Sequence, residues 1–283
     1  ALQVVEVRRQ VLEGMQHHLS DAKALEANGI IAKGERLYAE VHTAEAEREL
    51  LKAQKTVETL YSALSNTLGG DESTYIPATS MFILSDIDGV SYFKDLAKQH
   101  SPLLKQVGYK KQLATENMRL QRADFAPQVA LTGMAAFYNY QVSPIIPKWA
   151  VGAGVSLKIF DGLNREYKFS AAKSQIRQVE AVGHQAESDI LTLIDKLYNE
   201  MVTYSQQLPS VNASGQFAEE YLRIKEEAFK EGAAPSSDVV DARLNLAKIR
   251  IERLQAAYYY DMMLARLLEA CGQSELFPDY GKR

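Results

Sequence analysis

Glu13 and His17, and again Glu180 and His184, stand four residues apart, a spacing that sets a carboxylate and an imidazole on one helix face. A carboxylate-bridged metal centre needs further carboxylate ligands and usually a Glu-x-x-His spacing, and neither surrounds these pairs. His17 and His18 are adjacent and, like His42 and His184, lie in strongly polar stretches, so solvated surface is the expectation for all four. Gly152-Ala153-Gly154 falls inside an alternating run and not between a strand and a helix, which rules out a phosphate loop. Cys271, the single cysteine, sits beside Leu267 and Leu268 and reads as a small buried hydrophobe. With no serine or cysteine nucleophile constellation either, neither an enzyme nor a metal or cofactor site is expected.

Two aspartates remain. Asp238 and Asp241 are three apart and share a face at the start of a helix. Asp238 falls in the first turn, where capping and the helix dipole already account for a carboxylate.

The frame that carries these residues is duplicated. Residues 29–69 align without a gap on residues 232–272, at a constant offset of 203. Gly29 pairs with Gly232, Ala39 with Ala242, Ala44 with Ala247 and Glu49 with Glu252; Leu51 pairs with Leu254, Ala53 with Ala256, Leu64 with Leu267 and Gly69 with Gly272. Both copies read as a helix, a Gly-led break, then a long helix ending at Leu-x-x-x-x-Gly, so the chain holds two related helical hairpins. If the repeat unit is about 200 residues, the first half-repeat and any export signal are expected upstream of Ala1, because Ala1 to Met15 is charged and helix-like.

The net charge of −4 and pI near 5.8 provide no basic face for nucleic acid. No apolar run approaches the ~20 residues of a transmembrane helix. The expected divisions are residues 1–70, a first helical hairpin; 71–90, irregular, with Met81-Phe82-Ile83-Leu84 as a possible short strand; and 91–126, a helix restarting at Ser101-Pro102. They continue with 127–163, a β-hairpin; 164–272, the second helical hairpin, interrupted at Pro209; and 273–283, a tail.

The period changes from helical to two after Phe125-Ala126-Pro127. Trp149, Val151, Ala153, Val155, Leu157 and Ile159 make one uniformly apolar face, and Val129, Leu131, Ala135 and Phe137 make the matching face of the partner run. Such a hairpin fits either a bilayer crossing by tilted strands or packing on a soluble core. In the last helix Val240, Leu244, Ala247, Ile251, Leu254 and Tyr258 form one seam, and Ile249, Ala256, Tyr260, Met263 and Leu267 form a second. Leu208, Gly215, Leu222 and Phe229, with Val211 and Ala218 between, supply the seam of the preceding helix. Two seams mean neighbours on both sides, as in a closed ring or sheet of helices.

Three stretches carry a resemblance: Phe125-Ala126-Pro127-Gln128-Val129, Ile159-Phe160-Asp161-Gly162, and Gly232 through Ser237-Asp238-Val239-Val240-Asp241-Ala242-Arg243. In this order, within a duplicated helical frame, the chain resembles the TolC-like outer-membrane efflux proteins. The resemblance implies a mainly α fold with a β-hairpin: long antiparallel coiled-coil helices of a periplasmic α-barrel, plus strands of a transmembrane β-barrel. It further implies a homotrimer in the bacterial outer membrane, passively conducting solutes or proteins handed over by a periplasmic adaptor and an inner-membrane pump. Residues 71–90 would lie in an equatorial belt, and Trp149, Val151, Val155, Leu157 and Ile159 would face lipid.

In the trimer Asp238 and Asp241, with Glu35 aligned to Asp238, would form acidic rings at the pore constriction, whereas Tyr38 aligns with Asp241. Gly29, Ile30, Ile31, Ala32, Lys33 and Gly34, with Gly232, Ala233, Ala234, Pro235, Ser236 and Ser237, would be the tips that meet the adaptor, with both isoleucines exposed. The chain departs from the family pattern in holding one β-hairpin. The competing reading is a soluble coiled-coil scaffold whose hairpin packs internally.

Overall fold

The computed structural model describes residues 1–69, 80–84, 86–135 and 149–282. Along them run α1 (Leu2–Ala27), α2 (Lys33–Leu68), α3 (Val90–His100), α4 (Pro102–Ala123), β1 (Gln128–Ala135) and β2 (Trp149–Ser156). There follow α5 (Asn164–Lys230), α6 (Ser236–Ala270), a 3-10 turn (Ser274–Leu276) and α7 (Phe277–Tyr280). Among the described residues the fold is mainly helical with one antiparallel hairpin, and no helix there is long and apolar enough to cross a membrane.

The duplication is visible bond by bond. Gly29 and Gly232 both take left-handed backbone, at φ 71° and 72°. The Gly29 N–H donates to the Glu26 carbonyl and the Ile30 N–H to that of Leu25. At the same offset the Gly232 N–H donates to Phe229 and the Ala233 N–H to Ala228. This is the Schellman ending twice over, and glycine supplies the positive φ it needs at little steric cost.

The chain divides into two compact units: Ala1–Val90 with Ile194–Glu269 and Gln273–Arg283, and Ser91–Leu193 with Ala270–Gly272. In the first unit α6 is covered on two sides. Val240 and Ala247 are buried with Val7, Val11, Met15 and Ala46, and Ile251 and Leu254 pack against that cluster. On its other side Val239, Ala242 and Leu246 are buried with Ala218, Leu222 and Phe229 of α5. Of the first expected seam Leu244 and Tyr258 are exposed. Of the second, Ile249 packs on the α5 side and Ala256, Tyr260, Met263 and Leu267 are buried. Val239, Ala242 and Leu246, which meet α5, belong to neither expected seam. The long helix α5 continues through Pro209, which lies on its exposed side, so no interruption occurs there. Burial of Met201 and Ala218 holds the turns on either side of the missing amide.

Met81 to Leu84 form no strand. The Phe82 N–H donates to Asp261 Oδ2 at 3.3 Å, the Phe82 ring meets Phe277 at 5.7 Å, and the Leu84 backbone lies beside the Tyr260 hydroxyl. These contacts run to side chains and not to a strand ladder. Phe277–Tyr280 form the short helix α7, with Tyr280 buried.

In the second unit, Ser101-Pro102 separates α3 from α4, as proline at the first helical turn allows. Cys271 is buried, its thiol donating to the Phe93 carbonyl at 3.3 Å and pushed up to about 11 by burial. A β-carbon on Gly272 would meet the His100 carbonyl oxygen at 2.4 Å, so only glycine fits. The helices α4 and α5 are linked by Asn117 to Gln175 at 3.2 Å and Lys111 to Glu180 at 3.0 Å.

Burial raises the Asp261 carboxyl from 3.8 to about 6, partly offset by the Phe82 amide. A carboxyl that binds its proton more tightly when folded stabilises below its unfolded value and loses that contribution as pH rises through the folded one. Asp261→Asn keeps a carbonyl acceptor for Phe82 and removes the titration. In urea unfolding, the variant is expected to gain on the wild type as pH rises from 4 to 7; a constant difference would mean that Asp261 does not titrate in this window.

Candidate functional site at the paired hairpin tips

Residues 29–35 and 232–238 meet. A β-carbon on Gly232 would stand 2.9 Å from Ile30 Cγ2, so the glycine lets one tip rest on the other. Ile30 remains exposed, but Ile31 turns inward and packs beside Ala22, Ala39 and Phe229. The expectation of two exposed isoleucines is thus half right, because Ile31 gains more by joining the core than by facing water. Gly29, Ala32, Lys33, Gly34, Gly232, Ala233 and Pro235 are exposed, and Ala234 and Ser237 are half-buried.

Ser236 is fully buried, so its side chain is not on offer to a partner. Its N–H donates to Glu35 Oε2 at 2.6 Å, and its hydroxyl lies 2.6 Å from His18 Nε2. Glu35 of α2 therefore caps α6 from the neighbouring hairpin, satisfying an amide that the helix start leaves without a partner.

His18 is buried and not solvated, with its ring centroid 4.4 Å from that of Phe229. Burial, then the nearby Arg243, lowers its pKa to about 4, against a smaller opposing effect of Asp21. The polarity of its sequence neighbours concealed this: α1 is amphipathic, and His18 follows Val11 and Met15 on its inward face. His17 and His184 are exposed as expected. His42 is half-buried, pairing with Glu45 at 2.8 Å, with its ring tilted against that of Tyr38 at 4.4 Å.

The three acids expected at a constriction separate into three roles. Asp238 Oδ2 meets Lys225 Nζ at 2.6 Å, and this partner raises the lysine pKa. Glu35 is engaged by Ser236. Asp241 is exposed and adds to the rise in the Tyr38 pKa, behind burial of that ring. Deeper in, Arg243 pairs with Glu226 and lies over Gly14, where a β-carbon would collide with the guanidinium. This network joins α1, α5 and α6, and no residue spacing announces it. Among the described residues no cluster of three metal-ligating side chains forms.

The second feature is the β-hairpin. Its register pairs Val129 with Val155, Leu131 with Ala153, Gly133 with Val151 and Ala135 with Trp149. Antiparallel partners share a face, so the two apolar stripes become one sheet face. Val129, Leu131, Trp149, Val151 and Val155 on that face are 67 to 79 % exposed. Leu157 and Ile159 lie beyond the end of β2, also exposed, and Phe137 lies outside the described residues. At the hairpin's base Arg165 pairs with Asp161 at 3.1 Å and stacks over Phe125 at 5.2 Å. Two of the motifs quoted above thus close on each other.

The sequence profile of the outer membrane efflux protein family matches residues 94–273, and the chain belongs to that family. The structure of the outer membrane protein VceC from Vibrio cholerae superimposes with a TM-score of 0.78 at 18 % identity, over 95 % of this chain and 65 % of that one. The Campylobacter jejuni CmeC outer membrane channel gives 0.77 at 17 % identity, over 99 % and 61 %. The open state of the Neisseria gonorrhoeae MtrE outer membrane channel gives 0.73 at 18 %, over 96 % and 64 %. The chain thus spans less than two thirds of each of these three structures. No curated protein sequence matches it.

Replacing Glu35 by Ala is expected to cost about 1 kcal/mol, the usual worth of a helix cap. It should also speed hydrogen exchange at the Ser236 amide. Both are measurable by urea titration and NMR; an unchanged Ser236 amide would show that Glu35 does not cap α6.

Proposed function

We propose that this chain is a subunit of a passive outer-membrane conduit in a tripartite efflux or secretion system. Its helices belong to a periplasmic α-barrel and its hairpin to a transmembrane β-barrel, in a homotrimer. The paired tips receive a periplasmic adaptor, and an inner-membrane pump supplies the energy. Nothing in this role requires catalysis or a cofactor.

The observation that carries the reading is the hairpin face. Five large apolar side chains stand exposed on one face, while the opposite face carries Gln128, Thr132, Gly152, Gly154 and Ser156, with Ala130, Met134 and Ala150. Alternation of apolar-out with small or polar-in is what a lipid-facing barrel strand requires. A scaffold that packed its hairpin internally would cover Val129, Leu131 and Trp149, and nothing among the described residues does. Family membership and the shared fold support the same reading.

Trp149 is the only tryptophan in the chain, so its fluorescence reports this face alone. In vesicles whose acyl chains carry bromine, its emission is expected to be quenched strongly. Emission unaffected by bromine in protein bound to the vesicles would overturn the lipid-facing assignment.

At the tips, Asp241 is the exposed acid, and Lys225 offsets the charge of Asp238. In reconstituted trimers, Asp241→Asn is expected to reduce cation preference measured by reversal potential, with Asp238→Asn adding less. Unchanged selectivity in the double variant would remove both residues from the constriction.

A further inference from the structure

His18 occupies a place that a solvated histidine would not. It reaches from α1 into the junction where α5 ends and α6 begins, and it is 4 % exposed. From α6 it is faced by the Ser236 hydroxyl at 2.6 Å and by the Arg243 guanidinium; from α5, by the Phe229 ring. Glu226 of α5 pairs with that guanidinium, and Glu35 of α2 holds the Ser236 amide. On its own helix Asp21 acts on it in the opposite sense to Arg243. Ser236 is therefore bound twice by the other hairpin: through its amide by α2 and through its hydroxyl by α1.

We infer that His18 is an acid-operated latch, which holds the two hairpin tips together while neutral and releases them once protonated. Neutral imidazole can accept the Ser236 hydroxyl proton at Nε2 or donate to its oxygen, according to tautomer. Doubly protonated imidazole can only donate, and it brings a second positive charge toward Arg243 in a site with little water. Separation of the tips hydrates the ring and restores its ordinary proton affinity. Opening is thereby linked to proton uptake, and its sign follows: the closed form binds the proton less tightly, so falling pH favours the open form. With a closed value of about 4 and an open value near 6.5, the open population should rise about tenfold between pH 7.5 and 5.5, above the range where ordinary carboxylates titrate.

The latch lies within one chain and does not depend on the conduit reading. Its test is hydrogen exchange of residues 29–35 and 232–238 in the full chain, corrected for the intrinsic pH dependence of exchange. Protection at both tips is expected to fall about tenfold from pH 7.5 to 5.5 in the wild type, and to stay level in His18→Gln, which keeps an amide near Ser236 without a titrating group. A level profile in the wild type, or the same fall in the variant, overturns the inference. Should the variant not fold, NMR titration of His18 in the wild type decides. It is expected to titrate well below the ordinary histidine value of 6.5, with tip protection falling as pH drops from 7.5 to 5.5; titration at the ordinary value means there is no latch.

Discussion

A helix such as α6 cannot stand alone in water, because apolar side chains run down two of its sides. Covering one side leaves the other wet, and the loss is of order 25 cal/mol for each Å² left exposed. The chain meets this demand from two directions: α5, with Ala22 of α1 and Ala39 of α2, covers the side bearing Val239, Ala242 and Leu246, while α1 and α2 cover the side bearing Val240 and Ala247. Small residues set how close the helices come. Ala22, Ala39, Ala218 and Ala242 are all buried in one cluster, which brings backbones together without bulky side chains between them. Most of what is specific about the tips follows, since closely held helices bring their ends within hydrogen-bonding range.

Features with a local cause were legible from the sequence. Gly29 and Gly232 announce their turns because few other residues adopt positive φ cheaply, and the two turns repeat each other bond for bond. The alternation around Trp149 and Leu131 fixed not only two strands but their common face, because a slip by one residue would turn every side chain over. Features that depend on a distant partner were not legible. Neither Ser236 nor His18 carries a mark of burial, since the pocket that takes them is assembled by α1, α2, α5 and α6, with Glu35, Phe229 and Arg243 among its walls. The short stretch around Phe82 has the composition of a strand and finds no strand partner among the described residues, so tertiary context decides.

The two copies share a backbone but have diverged in their use of the same positions. Glu35 and Asp238 are aligned acids at equivalent helix starts. One reaches across to cap the other copy's helix, and the other turns back to Lys225 within its own hairpin. Tyr38 and Asp241 are likewise aligned and differ in chemistry, and they interact with each other electrostatically. Duplication supplied two equivalent turns, and side-chain divergence made them complementary where identical copies would have repelled.

The hairpin has a consequence for assembly. Among the described residues the sheet has two strands, so each strand pairs along one edge, and the other edge has no partner strand among those residues. Water tolerates an edge of unpaired amides and carbonyls, but hydrocarbon does not, since each group stranded there costs several kcal/mol. In the barrel reading, β1 and β2 therefore cannot enter a bilayer by themselves and then search for companions. Insertion and the zipping of strand to strand must occur as one concerted event, with the helices already in place to deliver the ribbons together.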